Sequence, residues 1–382
     1  MALDFPPGTP GATYTGPNGV IWSWDGVKWL AGTSASVYAP IASPAFSGNP
    51  TAPTPAAGDA DTSIATTAFV TNAVATSLHD VGRNYLHNSM FNIAQRGVGN
   101  WVATGYTADR WNFLLSGGTG TVSITAIVDA AKATIGDEAA LWCWQNNCVG
   151  GAGAGDYQIL IQPIEGIRRL SGKTVTLSFW ANSSGTPKVG ISFTQAFGTG
   201  GSPSATVNAT GQAITLSNTW ARYSVTTTIP STAGKTFGTN KDDHLDLEIW
   251  MSAGSSYATR AGIGQQSATF QLWGVQLELG PTATPLEKLD PVTQLQQCQR
   301  FYQGIALIGA FYGVAGSGAQ VAATLPVIMR GNPTVALGTN ANSNVSGLTV
   351  GADVAKAYTA NGTATATGTV WISQNALLSA DL

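Results

Sequence analysis

The acidic run Asp242-Asp243-His244-Leu245-Asp246-Leu247-Glu248 is where this sequence first offers chemistry. If Leu245, Leu247 and Ile249 face a core, strand alternation puts His244, Asp246 and Glu248 together on the other face. Same-face neighbours on a strand lie about 6–7 Å apart, from a rise of ~3.4 Å per residue. Two carboxylates at that separation suit a glycosidase acid/base pair. Such a pair also needs a cleft, which an open strand face does not supply, so no catalytic residue is assigned. A second reading is a Ca2+ site, in which Asp242, Asp243 and nearby carbonyls give the oxygen ligands that calcium takes. The simplest reading is a solvated face with no site at all.

Other reaction centres lack their parts. His79, His87 and His244 are scattered, and no His-x-x-His or Gly-x-Ser-x-Gly pattern occurs. The glycine-rich stretch from Val149 to Gly155 has no following Lys-Ser/Thr, so it reads as a loop and not as a phosphate cradle. Three cysteines make neither a disulfide framework nor a paired metal site. Cys143 and Cys148 can bridge only if a turn brings them together. Aromatic side chains are the remaining lead, because a flat ring can hold the apolar face of a sugar while amides bond its hydroxyls. Trp101, Tyr106, Trp144, Phe197, Tyr257 and Trp273 are candidates. Trp144 with Asn146 and Asn147 has the right mixture for a loop site, and Tyr257 joins it as a candidate sugar contact. Trp180, Trp220 and Trp250 fall in strand-like runs and read as core.

The elements that must position these residues are mostly strands. Only 10% of the residues are charged, while 46 are Gly, which points to a mainly β protein with many turns. A hydrophobic fraction of 43% is ample for real cores. A net charge of −3 without a Lys/Arg cluster argues against a nucleic-acid partner. No run of eighteen apolar residues predicts membrane insertion. The N-terminal residues do not read as a secretory signal.

Four regions follow. Residues 1–34 hold short β runs around Asp25-Gly26, a hairpin signal, and carry Trp22, Trp24 and Trp29. That is a heavy apolar load for so small a piece, which must form its own aromatic core or pack on a partner. Residues 35–82 begin Pro-rich, with prolines at 40, 44, 50, 53 and 55, and read as an extended spacer. After Asp61-Thr62-Ser63, Ile64, Thr67, Thr71, Val74 and Leu78 recur at intervals of three and four. That spacing predicts a short helix whose stripe would pack against copies of itself. Residues 83–285 contain many short β-rich runs separated by Gly, Pro, Asn or Ser, as in a two-sheet sandwich or jelly roll. Residues 286–382 begin with a predicted helix over 292–302. They continue as nearly uncharged β segments that would bury surface against sister chains.

The connector "YAPIASPAFSGNPTAPTPAAGDADTSIATTAFVTNAV" resembles those of bacteriophage tail fibres and related virion fibres. "TYTGPNGVIWSWDGVKWLAG" is similar to short N-terminal modules of phage structural proteins. "NYLHNSMFNIAQRG", "YTADRW", "LSFWANSSG", "WARYSVTTTIP" and "LWGVQLELGPTATPLE" resemble carbohydrate-binding-module-like jelly rolls of phage fibres. These resemblances imply an elongated homotrimeric virion fibre. Trp22, Trp24 and Trp29 would attach it to other virion proteins, and Ile64, Thr71, Val74 and Leu78 would trimerise it. The sandwich would touch host cell-surface polysaccharide without catalysis. Two rivals stand beside that expectation: a purely structural head, collar or baseplate fibre, and a polysaccharide depolymerase.

Overall fold

The computed structural model describes residues 5–16, 19–32, 48–56, 59, 61–71, 82–353 and 357–382. The chain forms two compact units, Met1–Leu78 and His79–Leu382.

In the first unit, strands Thr13–Thr15, Ile21–Trp24 and Trp29–Gly32 form an antiparallel sheet in that order. The hairpin at Asp25-Gly26 forms because the Asp25 carboxylate accepts from the amides of Val27 and Lys28, both at 2.8 Å, while Gly26 takes φ +101°. Trp22 and Trp24 lie two apart on one strand, and Trp24 faces Trp29 across the turn, so all three share a face. Phe5 closes over them, stacking on Trp29 at 5.6 Å and meeting Trp22 edge-on at 4.9 Å. The tryptophans are therefore half-buried by their own chain. The opposite face leaves Ile21 and Leu30 exposed.

The helix of the spacer starts later than its periodicity predicts. The Asp61 carboxylate accepts from the Ser63 amide at 2.6 Å, a local turn that competes with helix. Among the described residues helix begins at 67 and includes 67–71, capped by the Thr66 hydroxyl, which accepts from the Phe69 amide at 3.1 Å. Ile64 consequently lies ahead of the helix, 70% exposed, and is not part of the predicted stripe. Thr71 is helical, and its hydroxyl donates back to the Thr67 carbonyl at 2.7 Å. Val74 and Leu78 lie outside the described residues.

The second unit is a β-sandwich followed by two small sheets. The back sheet has six strands in the order Ala221–Thr228, Thr174–Ser183, Ala268–Leu279, Trp142–Val149, Thr119–Ala126 and Gly99–Trp101. The front sheet has seven. Its main order is Val207–Asn208, Lys188–Ala196, His244–Ala253, Tyr157–Glu165, Asn112–Ser116 and Gly105–Tyr106, and Gln212–Thr215 also pairs with Lys188–Ala196. Inward-facing residues of both sheets make one core, which includes Phe113, Leu160, Phe193, Leu247, Ile249, Leu177, Phe179 and Phe270. Helix Asp129–Ile135 helps to cover the outer side of the back sheet, where Ile135, Cys143, Trp220 and Trp273 form a second cluster. Helix Pro291–Gln299 is capped by the Asp290 carboxylate, which accepts from the Val292 and Thr293 amides at 3.0 Å. Tyr302 opens a strand and does not continue this helix.

The C-terminal strands Tyr302–Gly313, Gly368–Ser379 and Thr334–Asn340 make one sheet, and Gly318–Thr324, Ala357–Ala364 and Val345–Asp353 make another. They enclose a core of Leu307, Tyr358, Val370, Ile372 and Leu378 within one chain. This region is pinned to the sandwich. Arg300 bonds Glu165 at 3.0 Å, the Tyr106 hydroxyl donates to the Leu382 carbonyl at 2.9 Å, and Arg96 ion-pairs with Asp381. No helix among the described residues is long and apolar enough to cross a membrane.

Candidate functional site

The outer face of the front sheet carries the candidate site. Strand alternation sends Tyr157, Ile159 and Ile161 outward from one strand and Asp246, Glu248 and Trp250 outward from its neighbour. Ser192 and Thr194 join them from the next. The sequence reading of 244–248 as a solvated face is corrected here. Glu248 is fully buried and saturated with donors. Its carboxylate accepts from the Ser192 hydroxyl at 2.6 Å, the Thr194 hydroxyl at 2.8 Å, the Trp250 indole at 3.3 Å and Arg260 Nε at 2.9 Å, and Arg260 Nη2 closes a bidentate pair. Such a fork is the strong form of carboxylate recognition.

Arg260 arrives on a loop, Ser255–Tyr257 followed by the helical turn Ala258–Ala261, which crosses the sheet. Gly190 and Gly211 permit the crossing, since a Cβ on either would overlap the backbone of Ala261. The same loop carries Tyr257. Its ring meets Tyr157 edge-on at 5.2 Å and Trp250 at 5.7 Å, and Arg260 stands 5.4 Å from the Trp250 ring. Trp250 is the buried floor of this cluster, while Tyr157 and Tyr257 are half-exposed at its rim. Fixed aromatic edges beside a bound guanidinium–carboxylate pair form a surface on which a pyranose can stack and bond.

Asp246 is the titrating member of the face. Burial pushes its carboxyl up to about 6; the His244 ring, 3.7 Å away, works against this and the Glu248 charge adds to it. The acid form is thus favoured in the folded chain. Between pH 4 and 6 the folded state keeps a proton that the unfolded chain has lost. This group's contribution to stability is therefore full below pH 4 and falls as pH rises through about 6. Asp246→Asn is expected to raise stability at pH 7, on the order of 1–3 kcal/mol, and to flatten the decline between pH 4 and 6. Melting curves across that range check it, and an unchanged profile would refute the assignment.

The other predicted sugar contacts fall elsewhere. Trp144 and Asn146 lie in the core between the sheets, both fully buried. The Trp144 indole donates to the Thr107 hydroxyl at 3.3 Å, and the Asn146 amide donates to Gln158 at 3.0 Å. Asn147 points the opposite way, exposed on the back sheet, and accepts from the Thr269 hydroxyl at 3.0 Å. The segment is a strand and not a loop, so its period of two splits the expected group between faces. The same alternation places Cys143 and Cys148 on opposite faces, and both are free thiols. Phe197 and Trp273 are also core. Asn147 is exposed without an aromatic partner, Trp101 packs on the sandwich core and the Tyr106 hydroxyl is spent on Leu382, so Tyr257 is the candidate that stands at the surface among other rings. Tyr157 and Arg260 complete that surface over the buried Trp250 and Glu248, and only the outward register of 244–248 signalled any of them.

The calcium reading is not supported by the placement of its residues. Asp242 accepts from the Thr199 amide at 2.7 Å and from the Thr199 hydroxyl, whereas Asp243 accepts from the Ile167 amide at 3.2 Å. The two carboxylates pin different loops. Among the described residues no group of three or more His, Cys, Asp or Glu is placed to hold an ion.

No family model matches the chain, and no curated protein matches it. Among solved structures, the enzymatically active domain of tailspike protein 4 from bacteriophage CBA120 is 14% identical, with a TM-score of 0.31. That match covers 52% of this chain and 22% of the tailspike chain. A family 11 carbohydrate-binding module from Clostridium thermocellum is 12% identical over 49% of this chain and 99% of its own, with a TM-score of 0.29. A xylan-binding domain from Paenibacillus barcinonensis is 12% identical over 47% and 99%, with a TM-score of 0.27. Likeness at these values says nothing of what this chain binds.

Proposed function

We propose that the chain is a non-enzymatic, homotrimeric fibre protein of a phage particle whose sandwich contacts surface polysaccharide at the Tyr257 face. The carrying observation is the rim of Tyr157 and Tyr257 over Trp250, beside the fixed Glu248–Arg260 pair. Glu248 weighs against cleavage by this face, because its carboxylate is fully buried and occupied by five donors, out of reach of a substrate. No cofactor enters this reading. The trimer draws support from the C-terminal sheet, whose outer residues Ile308, Tyr312, Trp371 and Leu377 are exposed apolar side chains. Three weak sites on one trimer would gain affinity by avidity. In the N-terminal unit, exposed Ile21 and Leu30 offer a surface for other virion proteins, with the tryptophans as the support behind it.

A glycan array probed with the full chain tests the sugar reading. Tyr257→Ala is expected to weaken captured glycans by roughly tenfold per site, the loss of about 1.4 kcal/mol of ring contact. Equal binding by Tyr257→Ala would sink this site. Light scattering should return about three times 39.2 kDa, and a monomer at micromolar concentration would end the trimer. A purely structural fibre is the second reading, favoured by the backbone of Ala261 lying tightly over Gly190, which fills part of the sheet face. An empty array with an intact trimer would select it.

A further inference from the structure

A cavity of about 250 Å3 lies where the sandwich meets helix Pro291–Gln299, away from the Tyr257 face. Its charged walls are Arg110, Arg169, Arg300 and Glu165, three guanidiniums against one carboxylate. Glu165 is already held by Arg300 at 3.0 Å and faces Arg330 at 4.0 Å. Arg169 has no ion pair among the described residues; its guanidinium stands 5.0 Å from the Tyr85 ring.

Arg110 is the informative residue. It is 2% exposed and lies 3.4 Å from the centre of the Phe301 ring. One amino nitrogen, Nη2, donates to the Pro163 carbonyl at 2.5 Å. Its Nε and Nη1 are buried with no hydrogen-bond acceptor. Nη1 faces Asp381 Oδ1 at 3.7 Å, an ion-pair distance too long for a hydrogen bond, while Arg96 engages the other oxygen, Oδ2; the donor left with no facing acceptor is Nε. Two further walls carry orphaned atoms, His87 Nδ1 and the acceptor Gln297 Oε1. Burial, then the charges of Arg110, Arg169 and Arg300, hold the His87 ring down to about 3, so it stays neutral in this positive surrounding. Buried cationic donors without an acceptor are costly, and a native chain tolerates them where a ligand completes them.

The orphans define the ligand. Arg110 Nε asks for an acceptor, and a carboxylate on that edge of the guanidinium would make the bond charge-assisted. Gln297 Oε1 asks for a hydroxyl donor, which the sulfate dianion lacks. The volume holds about eight waters at roughly 30 Å3 each, room for one monosaccharide unit and not for a chain. We infer that this cavity binds a uronate unit, with its carboxylate on Arg110 and Arg169, its ring beside Tyr85 and a hydroxyl on Gln297. This rests on the glycan reading for the ligand's source, while the site itself is separate.

Calorimetry on the full chain with sodium glucuronate, glucose and sodium sulfate tests it. Glucuronate is expected to bind at least about tenfold more tightly than either, one charge-assisted bond's worth. Arg169→Gln, an exposed change, should weaken glucuronate about tenfold with the melting curve unchanged. Gln297→Leu should weaken glucuronate and leave sulfate alone. Arg110→Gln should abolish binding of both, if its melting curve shows it folded. No heat with glucuronate, equal binding of glucose, or indifference to Arg169→Gln would overturn the site. Sulfate as tight as glucuronate would reduce it to a bare anion hole and overturn the sugar. Tyr257→Ala should leave glucuronate binding intact. If it abolishes both glucuronate and array binding, the acidic sugar sits on the sheet face and this cavity is not its site.

Discussion

Arg260→Ala is expected to cost about 3–5 kcal/mol of folding stability, the range for breaking a buried ion pair by removing one partner. Glu248 is fully buried, and Arg260 supplies two of its donors and the guanidinium that balances its charge. Without that charge the carboxylate is stranded in low dielectric. The expected response is protonation of Glu248 or entry of water, both at the expense of the loop Ser255–Ala261 that brings Arg260 across the sheet. Urea unfolding gives the number, and amide exchange over 255–262 should quicken. Glu248→Gln combined with Arg260→Ala should recover most of the loss, since a neutral amide oxygen still accepts from Ser192 and Thr194 while no charge is left unpaired. A single-variant loss below about 1 kcal/mol, the value of an exposed pair, would show that the ion pair does not anchor this face.

Trp144→Ala is expected to destabilise the sandwich by about 3–5 kcal/mol and to leave sugar binding in place at temperatures where the variant is folded. The ring is fully buried, lies 6.2 Å from Phe113 and spends its N–H on Thr107, so its removal opens a cavity and takes one donor from a hydroxyl that keeps its bond to the Trp111 carbonyl. Tyr257→Ala should do the reverse, sparing stability and losing glycan. Comparing the two separates a core aromatic from a surface one. A Trp144→Ala chain with an unshifted urea midpoint would contradict its place between the sheets.

Much of the local structure was legible in the residue order. Asp25-Gly26 between short β runs gives its hairpin, because an aspartate that accepts from the next amides and a glycine with positive φ leave the backbone little choice. Asp290-Pro291 starts a helix for an equally local reason. Ile64 shows where locality can mislead: its spacing fits the stripe, yet the Asp61 side chain takes the Ser63 amide first.

The sandwich follows from alternation in its strands, and that pattern by itself determined a mainly β protein with two kinds of face. What alternation cannot say is what covers each face. Leu245, Leu247 and Ile249 do point inward, but the outward partner Glu248 is as buried as they are, because a loop twelve residues onward folds back and brings Arg260. Trp144 and Asn147 sit three apart, and only the stacking of one sheet on another decides that the first is core and the second surface. Arg110 is a more distant case: its unfilled donors matter because Phe301, 191 positions away in the chain, closes the wall behind it. Burial and charge pairing are properties of what packs from afar, so the tertiary structure alone decided which polar residues are spent on the fold and which are left to meet a ligand.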